Sequence, residues 1–537
     1  MASVQAPVQA GPASGDKIEG MMRRVLGHLL WVVPALAAVA LYYVRNYAGL
    51  YYNDAMDLAQ LGRHISQGQG YVTSFIRPLA WAVKPTLFGQ PELYQAPLFP
   101  LVLGSLFLAL GASDLVAALG SVVFHIGTLT MVYLLGRRLF GHTAAALAAV
   151  LVAVNLQLVA YAISGLAVPL ATFLVTLAVY LLYTNQGSVR RSALCGAIMG
   201  LACLAEYACV GYLVAAAVLA VVLAPGRRAK HLAGFLLGAV VVLAPWAYRN
   251  AVVAGNPFFT LKLYWLAMFS TAHPGSSLLR TTDLAAAGPL AFVTGSPGAL
   301  ARKWVVDSKA LLEMTPALTG LYLVPFLVVG LLRRLGDKRA TVLRNWVVAA
   351  VVGQAVLIAF FNPSPELLTP LVPVAAVLAT GYFVLFAGEL GRRRFRWAAA
   401  LLIAVTAYPL ASNLALAQPA RNVSLRNLQY LQRTLQPDEA VVTDAPWAVA
   451  WYTGLTAVWL PGSLEDFNRL DGGGKIRAIY LSAMLPSYPA AEGVAFWQQL
   501  YYSRVGLTGF DLQATLPPGE LIFGRSIPVE GSEGGKR

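Results

Sequence analysis

Long apolar runs separated by short basic clusters organise this chain. Apolar segments fall at about 25–44, 97–112, 113–136, 143–161, 166–184, 192–206, 207–224, 231–247, 317–335, 343–361, 366–387 and 397–415. A helix needs about 20 apolar residues to cross a bilayer. The pattern therefore predicts an all-α polytopic domain with about 11–13 crossings. The first run is too long for a signal-peptide core and lacks a clear cleavage site, which predicts a retained first helix with a cytoplasmic N-terminus. The stretch 97–136 holds two segments where topology has room for one crossing. Either one is only partly inserted, or Arg137-Arg138 breaks the charge rule. The stretch 192–224 predicts a short hairpin with Glu206 near its tip.

Between the runs stand Arg137-Arg138, Arg190-Arg191, Arg227-Arg228-Lys230, Arg333-Arg334 with Lys338 and Arg339, and Arg392-Arg393-Arg394 with Arg396. The positive-inside rule places them all in the cytoplasm. With Arg23, Arg24 and Arg344 they make 18 of the 39 basic residues. Parity then puts two long loops, 45–96 and 250–315, and everything beyond about 420 on the outer face. The expected divisions are a disordered tail at 1–22, a membrane domain at 23–416, an outer domain at 417–528 and a polar tail at 529–537.

The pattern changes beyond 420. Helix (LRNLQYLQRTL), strand (AVVTD), helix (WAVAWYTG), strand (TAVWLP), helix (LEDFNRL) and strand (IRAIYLS) follow at short spacing, then a helical FWQQLYYS and a strand ELIFGRS. This alternation predicts a small α/β domain. Its aromatics, Trp447, Trp451, Tyr452, Trp459 and Trp497, are expected mainly in its own core.

Composition agrees. The chain is 58% hydrophobic and 12% charged, with a mean hydropathy of +0.64. These values exclude a soluble or disordered protein. The net charge of +15 would suggest nucleic acid in a soluble chain. Here so much of it sits in short turns that a nucleic-acid partner is excluded and membrane lipids are the expected surroundings. Cys195, Cys203 and Cys209 lie in one apolar stretch and predict packing, not a disulfide or metal site.

Candidate chemistry concentrates in the outer loops. Asp54 and Asp57 are three residues apart, so they share a helix face. A carboxylate held beside aromatics at a membrane interface is a candidate general base or metal ligand. The alternative is a plain helix start, with Asn53 as N-cap and Asp54 in the first turn. The same loop carries Tyr52, Arg77, Lys84 and Glu92. Arg249 ends a helix at the start of the second loop, where a guanidinium could hold a lipid phosphate or simply anchor at the interface. His273 and Arg280 lie farther along that loop, His273 reading more readily as a loop residue than as a ligand.

The motifs come in a recognisable order. After the Asp-containing loop comes a Pro97-Leu98-Phe99-Pro100 re-entry, then a Gly-Arg-Arg-Leu-Phe-Gly turn from Gly136 to Gly141. Pro245-Trp246-Ala247-Tyr248-Arg249-Asn250 follows, ending in Gly255-Asn256-Pro257. This order, over about 25–410, resembles the GT-C superfamily of polytopic glycosyltransferases. Within it, the chain is similar to the bacterial branch resembling dolichyl-phosphate-mannose–protein mannosyltransferases and aminoarabinose transferases. The segment from Val442 to Pro461 looks like the outer domains appended to such proteins.

The resemblance implies an inverting glycosyl transfer in the cell membrane, at the extracytoplasmic face. A polyprenyl-phosphate sugar is the implied donor, and a protein, lipid or glycan the acceptor. It implies catalytic roles for Asp54 and Asp57, and lipid-phosphate binding by Arg249, Lys84 and Arg77. Tyr52, Glu92, Glu206 and Glu366 fall in the implied substrate pocket. No cofactor is implied with certainty. Glu92 and His273 match positions that can hold zinc in the aminoarabinose group, which leaves a divalent metal as one option.

The chain also departs from the family. The helix near 166–184 begins Ile163-Ser164-Gly165-Leu166-Ala167-Val168-Pro169, without the carboxylate many relatives have there. Glu206 and Glu366 stand where relatives often carry Arg. A carboxylate within a membrane is costly and usually functional. These two could pair with relocated cations such as Arg249, or face outer water. The departures keep open a non-catalytic relative that serves as scaffold or subunit of an envelope complex with partner proteins.

Overall fold

The structure is a computed structural model that describes residues 33–526 apart from 34–35, 186, 225, 284–288, 320–323, 333–337 and 417–422. The expected tails at 1–22 and 529–537 and the cations Arg23, Arg24, Arg333 and Arg334 lie outside the described residues.

Among the described residues, five helical segments are long and apolar enough to cross a membrane: Asp114–Ala153, Arg228–Ala254, Lys338–Phe361, Pro365–Gly388 and Arg392–Ala415. Leu98–Leu110, Val168–Thr184 and Tyr207–Val222 are shorter apolar helices. The protein is an all-α membrane domain carrying a small C-terminal α/β domain.

The ambiguous stretch at 97–136 resolves by length. The helix Leu98–Leu110 has 13 residues, a rise of about 20 Å against a hydrocarbon core of about 30 Å. It is too short to span alone and packs on the helix Asn53–Ser66. Glycines let the two backbones meet: a Cβ on Gly62 would stand 2.7 Å from Leu103 Cβ, and one on Gly104 would stand 2.7 Å from Ile65 Cγ2. The next helix starts at Ser113, whose side chain accepts from Val116 N, and runs without a break through Arg137-Arg138 to a kink at Gly141 (φ 84°). The segment expected at 143–161 is not one crossing. Asn155 accepts from Leu158 N and starts a new short helix, Leu156–Ala162.

Glu206 does stand at the turn of a hairpin, extended between Val189–Ala205 and Val210–Val222. The loop 250–315 is more helical than its hydropathy suggests. Pro297–Thr319 is a 23-residue helix. Its apolar pattern is broken by Lys303 and Asp307, which neutralise each other at 3.3 Å. Lys303 Nζ also donates to the Phe360 and Phe361 carbonyls at 2.8 and 3.0 Å, so its charge is satisfied without water. The three cysteines are buried and free.

The C-terminal elements match the alternation in the sequence, with two additions that the pattern did not reveal. Naming strands in chain order, β1 is Val72–Thr73, β2 Phe75–Ile76, β3 Gln90–Pro91, β4 Ala440–Thr443, β5 Thr456–Trp459, β6 Ile476–Leu481, β7 Phe510–Leu516 and β8 Glu520–Arg525. Six of them form one sheet in the order β2-β5-β4-β6-β8-β7. The first four run parallel; β8 pairs antiparallel with β6 and β7 with β8. β7 was missed because its alternation includes Asp511 and Gln513. β2 was missed because two residues carry no periodicity.

β2 matters most, because it comes from the loop 45–96 and not from the C-terminal segment. Phe75 and Ile76 pair with Ala457 and Val458, and Ile76 is buried in the core of the C-terminal domain. That domain is thus tied into loop 45–96. Arg63 reinforces the joint by donating to the Trp451 and Ala450 carbonyls at 2.6 and 2.7 Å, which caps the end of the helix Pro446–Thr453. Asp114 accepts from Trp451 Nε1 at 2.7 Å and from the Tyr452 hydroxyl at 3.0 Å.

Candidate active site

The helix Asn53–Ser66 begins after an extended Tyr52, with Asp54 in its first turn; Tyr52, and not Asn53, is the N-cap. Asp54 and Asp57 do share a face, but their surroundings separate them. Asp57 is fully enclosed and accepts from Arg77 at 2.6 Å, Gln95 Nε2 at 2.9 Å and Gln60 Nε2 at 3.1 Å. It does not line the cavity above it, which corrects its catalytic assignment. Its carboxylate is consumed in holding Arg77. Asp54 is exposed to the cavity and takes one hydrogen bond, from Gln95 Nε2 at 3.3 Å. No cation among the described residues is within ion-pair distance of it. The crowded walls raise its pKa above the usual carboxylate range: burial dominates, Lys262 opposes it and Asp57 adds to it.

Arg77 is likewise a structural cation. Its guanidinium carbon lies 4.0 Å from the centroid of Phe75 and 4.1 Å from that of Tyr94, so the two rings sandwich it. Glu92 Oε2 stands 3.7 Å away. Burial alone would lower its pKa, but Asp57 and Glu92 more than compensate and hold it above the ordinary range. Its charge is already balanced, which removes it as a free phosphate ligand. Glu92 is tied on its other oxygen to the Tyr94 and Gln95 amides at 2.5 and 2.8 Å.

The expected metal pair does not assemble. Glu92 faces Arg77, and His273 packs edge-on against Phe292. Among the described residues no group of three or more His, Cys, Asp or Glu could hold a metal. The donor set does not fit one.

Asp54 opens onto a cavity of about 280 Å³. Its walls come from four places: the first loop (Asn53, Phe75, Arg77, Tyr94), the second loop (Trp265, Ser276, Arg280), Asn362 beyond the helix Lys338–Phe361, and the C-terminal domain (Trp447, Trp459, Tyr488, Glu492). Trp447 and Trp459 are therefore core residues with a ring on the cavity, while Trp497 is wholly core. Tyr52 lies elsewhere. It lines a neighbouring cavity of about 300 Å³ with Tyr42, Tyr47, Tyr51 and Asn46.

Trp265 also borders a narrower groove of about 150 Å³. That groove is apolar, walled by Val210, Leu263, Leu357, Ile358, Phe361 and Leu367, with Lys262 and Glu206 as its charged residues. Lys262 Nζ lies 3.0 Å from both Glu206 oxygens and faces the rings of Trp265, Tyr94 and Tyr207 at 5.1, 5.5 and 5.9 Å. Sequence reasoning overlooked Lys262. Its signal was a lone cation inside the apolar, aromatic run Leu261-Lys262-Leu263-Tyr264-Trp265-Leu266.

The cation expected to meet the carboxylates was Arg249. It stands instead behind the aromatic layer, 4.8 Å from the Trp246 centroid and 5.6 Å from that of Tyr71, and donates to Asn250 Oδ1 at 3.1 Å. It lines neither the cavity nor the groove. Lys84, exposed at the end of the helix Pro78–Val83, lines neither as well. Glu206 pairs with Lys262. Glu366, in the turn Pro365–Leu371, interacts electrostatically with Asp54, Glu206 and Lys262.

Comparisons with known proteins can now be set beside this geometry. The dolichyl-phosphate-mannose-protein mannosyltransferase family matches residues 94–248. No curated protein matches the chain as a whole sequence. Among solved structures, ArnT from Cupriavidus metallidurans bound to undecaprenyl phosphate superposes with a TM-score of 0.57 at 14% identity, covering 94% of this chain and 99% of that one. The Archaeoglobus fulgidus oligosaccharyltransferase gives 0.58 at 12% identity, covering 93% and 74%. The mycobacterial arabinofuranosyltransferase AftD gives 0.51 at 13% identity, covering 93% and 40%. The chain thus has the fold of the GT-C superfamily of membrane glycosyltransferases and resembles its ArnT and protein-mannosyltransferase members.

Proposed function

We propose that this protein is an integral-membrane glycosyltransferase that moves a sugar from a polyprenyl-phosphate donor to an acceptor at the extracytoplasmic face. One observation carries the reading: a carboxylate free of ion pairs, Asp54, faces a cavity that shares Trp265 with an apolar groove headed by Lys262. The groove suits a prenyl tail. Lys262 suits the phosphate, whose negative charge grows as the sugar leaves. ArnT bound to undecaprenyl phosphate and AglB in complex with a dolichol-phosphate offer fold-level precedents for such a lipid.

The reaction is an inverting displacement. Asp54 takes the proton of an acceptor hydroxyl as its oxygen bonds to the anomeric carbon. The bond from that carbon to the phosphate oxygen breaks, and its electron pair leaves with the polyprenyl phosphate. Arg77, Asp57 and Gln95 act through Asp54: they fix its helix and orient its carboxylate. No step is routed through a metal.

Phosphate must compete with Glu206 for Lys262, and the ion pair already present favours a second reading, a non-catalytic scaffold. Binding of undecaprenyl phosphate to purified protein separates the two. A charge-assisted hydrogen bond contributes about 1.5–3 kcal/mol, roughly tenfold to a hundredfold in affinity. Lys262→Met is expected to weaken binding by about that factor. Glu206→Gln is expected to tighten it, because the lysine is then free. Absence of binding to the wild-type protein would favour the scaffold.

A further inference from the structure

The cavity above Asp54 contains a second cation that the transfer reaction, as written, leaves unused. Arg280 is the last residue of the turn Ser277–Arg280 and is only 2% exposed, yet it lines the cavity. Its Nη1 donates to the Leu460 carbonyl at 3.2 Å, and its guanidinium carbon lies 4.3 Å from the Trp459 centroid. Among the described residues its Nε has no hydrogen-bond partner. Neither has Nε1 of Trp459, which is 9% exposed and lines the same cavity. No carboxylate among the described residues reaches ion-pair distance of Arg280; Glu492, held at 3.4 Å by Ser276 Oγ, interacts with it only through space.

A buried guanidinium Nε–H and a buried indole N–H without acceptors are expensive, even with the Arg280 Nη1 donated to Leu460. Two unsatisfied donors stacked beside one cavity are the donor half of an oxyanion site. We propose that Arg280 and Trp459 form an oxyanion subsite for the acceptor, which carries a carboxylate or phosphate group near the hydroxyl that receives the sugar. This rests on the transferase reading. The assignment to the acceptor follows from position. Arg280 is bound to the C-terminal domain through Leu460, Trp459 and the Gly462 amide, which donates to its carbonyl at 2.8 Å. The apolar groove lies at Lys262, across Trp265, between membrane helices. Asp54 stands in the cavity with Arg280 and interacts electrostatically with Lys262. A base between two cations suits a donor phosphate at one and an acceptor anion at the other. Burial pushes Arg280 down to about 10, still well above neutral pH, so it remains charged when the anion arrives.

The test is calorimetric titration of the full-length protein in nanodiscs with glucuronate, inorganic phosphate and neutral methyl glucoside, alongside undecaprenyl phosphate. Glucuronate and phosphate are expected to bind and methyl glucoside to bind much more weakly. Arg280→Gln should weaken both anions by about tenfold to a hundredfold, and Trp459→Phe, which keeps a ring but removes the donor, by a smaller factor. Both variants should keep wild-type affinity for undecaprenyl phosphate, which also shows that they fold. Equal binding of methyl glucoside and glucuronate would overturn the proposal. So would an Arg280→Gln protein that loses the lipid phosphate but keeps glucuronate, because Arg280 would then serve the donor. If the wild-type protein binds the anions but not the lipid, the transferase reading fails while the oxyanion site stands.

Discussion

Asp54→Asn is expected to lower sugar transfer by about 10²–10⁴-fold, the usual contribution of a positioned general base. The amide keeps the size of the side chain and can still contact Gln95, so the helix start and cavity should persist. What it cannot do is accept the acceptor's proton. Two further readouts follow from the same cause. Affinity for undecaprenyl phosphate should hold close to wild type, because the cation proposed to hold the lipid is Lys262. The residual activity should also lose a limb of its pH profile. In the proposed mechanism Asp54 works as carboxylate, and burial raises its pKa. Transfer should therefore fall as the medium is acidified, and should start to fall at a higher pH than an ordinary aspartate would impose. Release of labelled polyprenyl phosphate, followed across pH, checks both. An Asp54→Asn protein with undiminished turnover would remove Asp54 from the mechanism.

The second large effect is on stability. Arg77 and Asp57 are 3% and 1% exposed and meet at 2.6 Å. Removing one member of a buried pair strands the other charge and costs about 3–5 kcal/mol. Arg77→Met leaves Asp57 and Glu92 uncompensated beside β1 and β2, where the first loop enters the C-terminal sheet. Its expected consequence is loss of that joint: a lower unfolding temperature and faster proteolysis in loop 45–96. Adding Asp57→Asn to Arg77→Met should recover part of the loss, since the stranded charge is gone. A double variant with the summed effect of both singles would mean that the pair carries no coupling. Arg77→Met with wild-type thermal stability would contradict the account of Arg77 as a balanced, buried cation.

Much of this fold is visible in one sequence because bilayers and small α/β domains impose strong patterns. Apolar runs, basic turns and alternating helices and strands located most elements. What stayed hidden was of two kinds. Short pieces that gain their structure from distant partners carry no periodicity. Phe75–Ile76 becomes a strand only because Thr456–Trp459 offers an edge. Helix Pro297–Thr319 conceals its apolar face behind a lysine and an aspartate that satisfy each other.

The site was legible in its residue types more than in their roles. Asp54, Asp57, Arg77 and Glu92, all of the first loop, stand together, while Glu206 lies across Trp265 beside Lys262. Sequence spacing cannot tell which carboxylate is free and which is spent. That depends on Gln60, Gln95 and Arg77 reaching Asp57 from three segments. Nor can it tell which cation faces a groove. Arg249 had the stronger motif, but its side chain turned into an aromatic layer, and Lys262 took the place beside Glu206.

The central claim is that a polyprenyl phosphate sits with its phosphate at Lys262 and its tail in the groove beside Leu357 and Phe361. A cryo-electron-microscopy map of the full-length protein in nanodiscs with undecaprenyl phosphate tests it directly. Phosphate density in contact with Lys262, Glu206 displaced from the lysine, and chain density running past Phe361 are expected. Lipid density confined to the Tyr52 cavity or to the outer helix surface, with the Lys262–Glu206 pair intact, would contradict it.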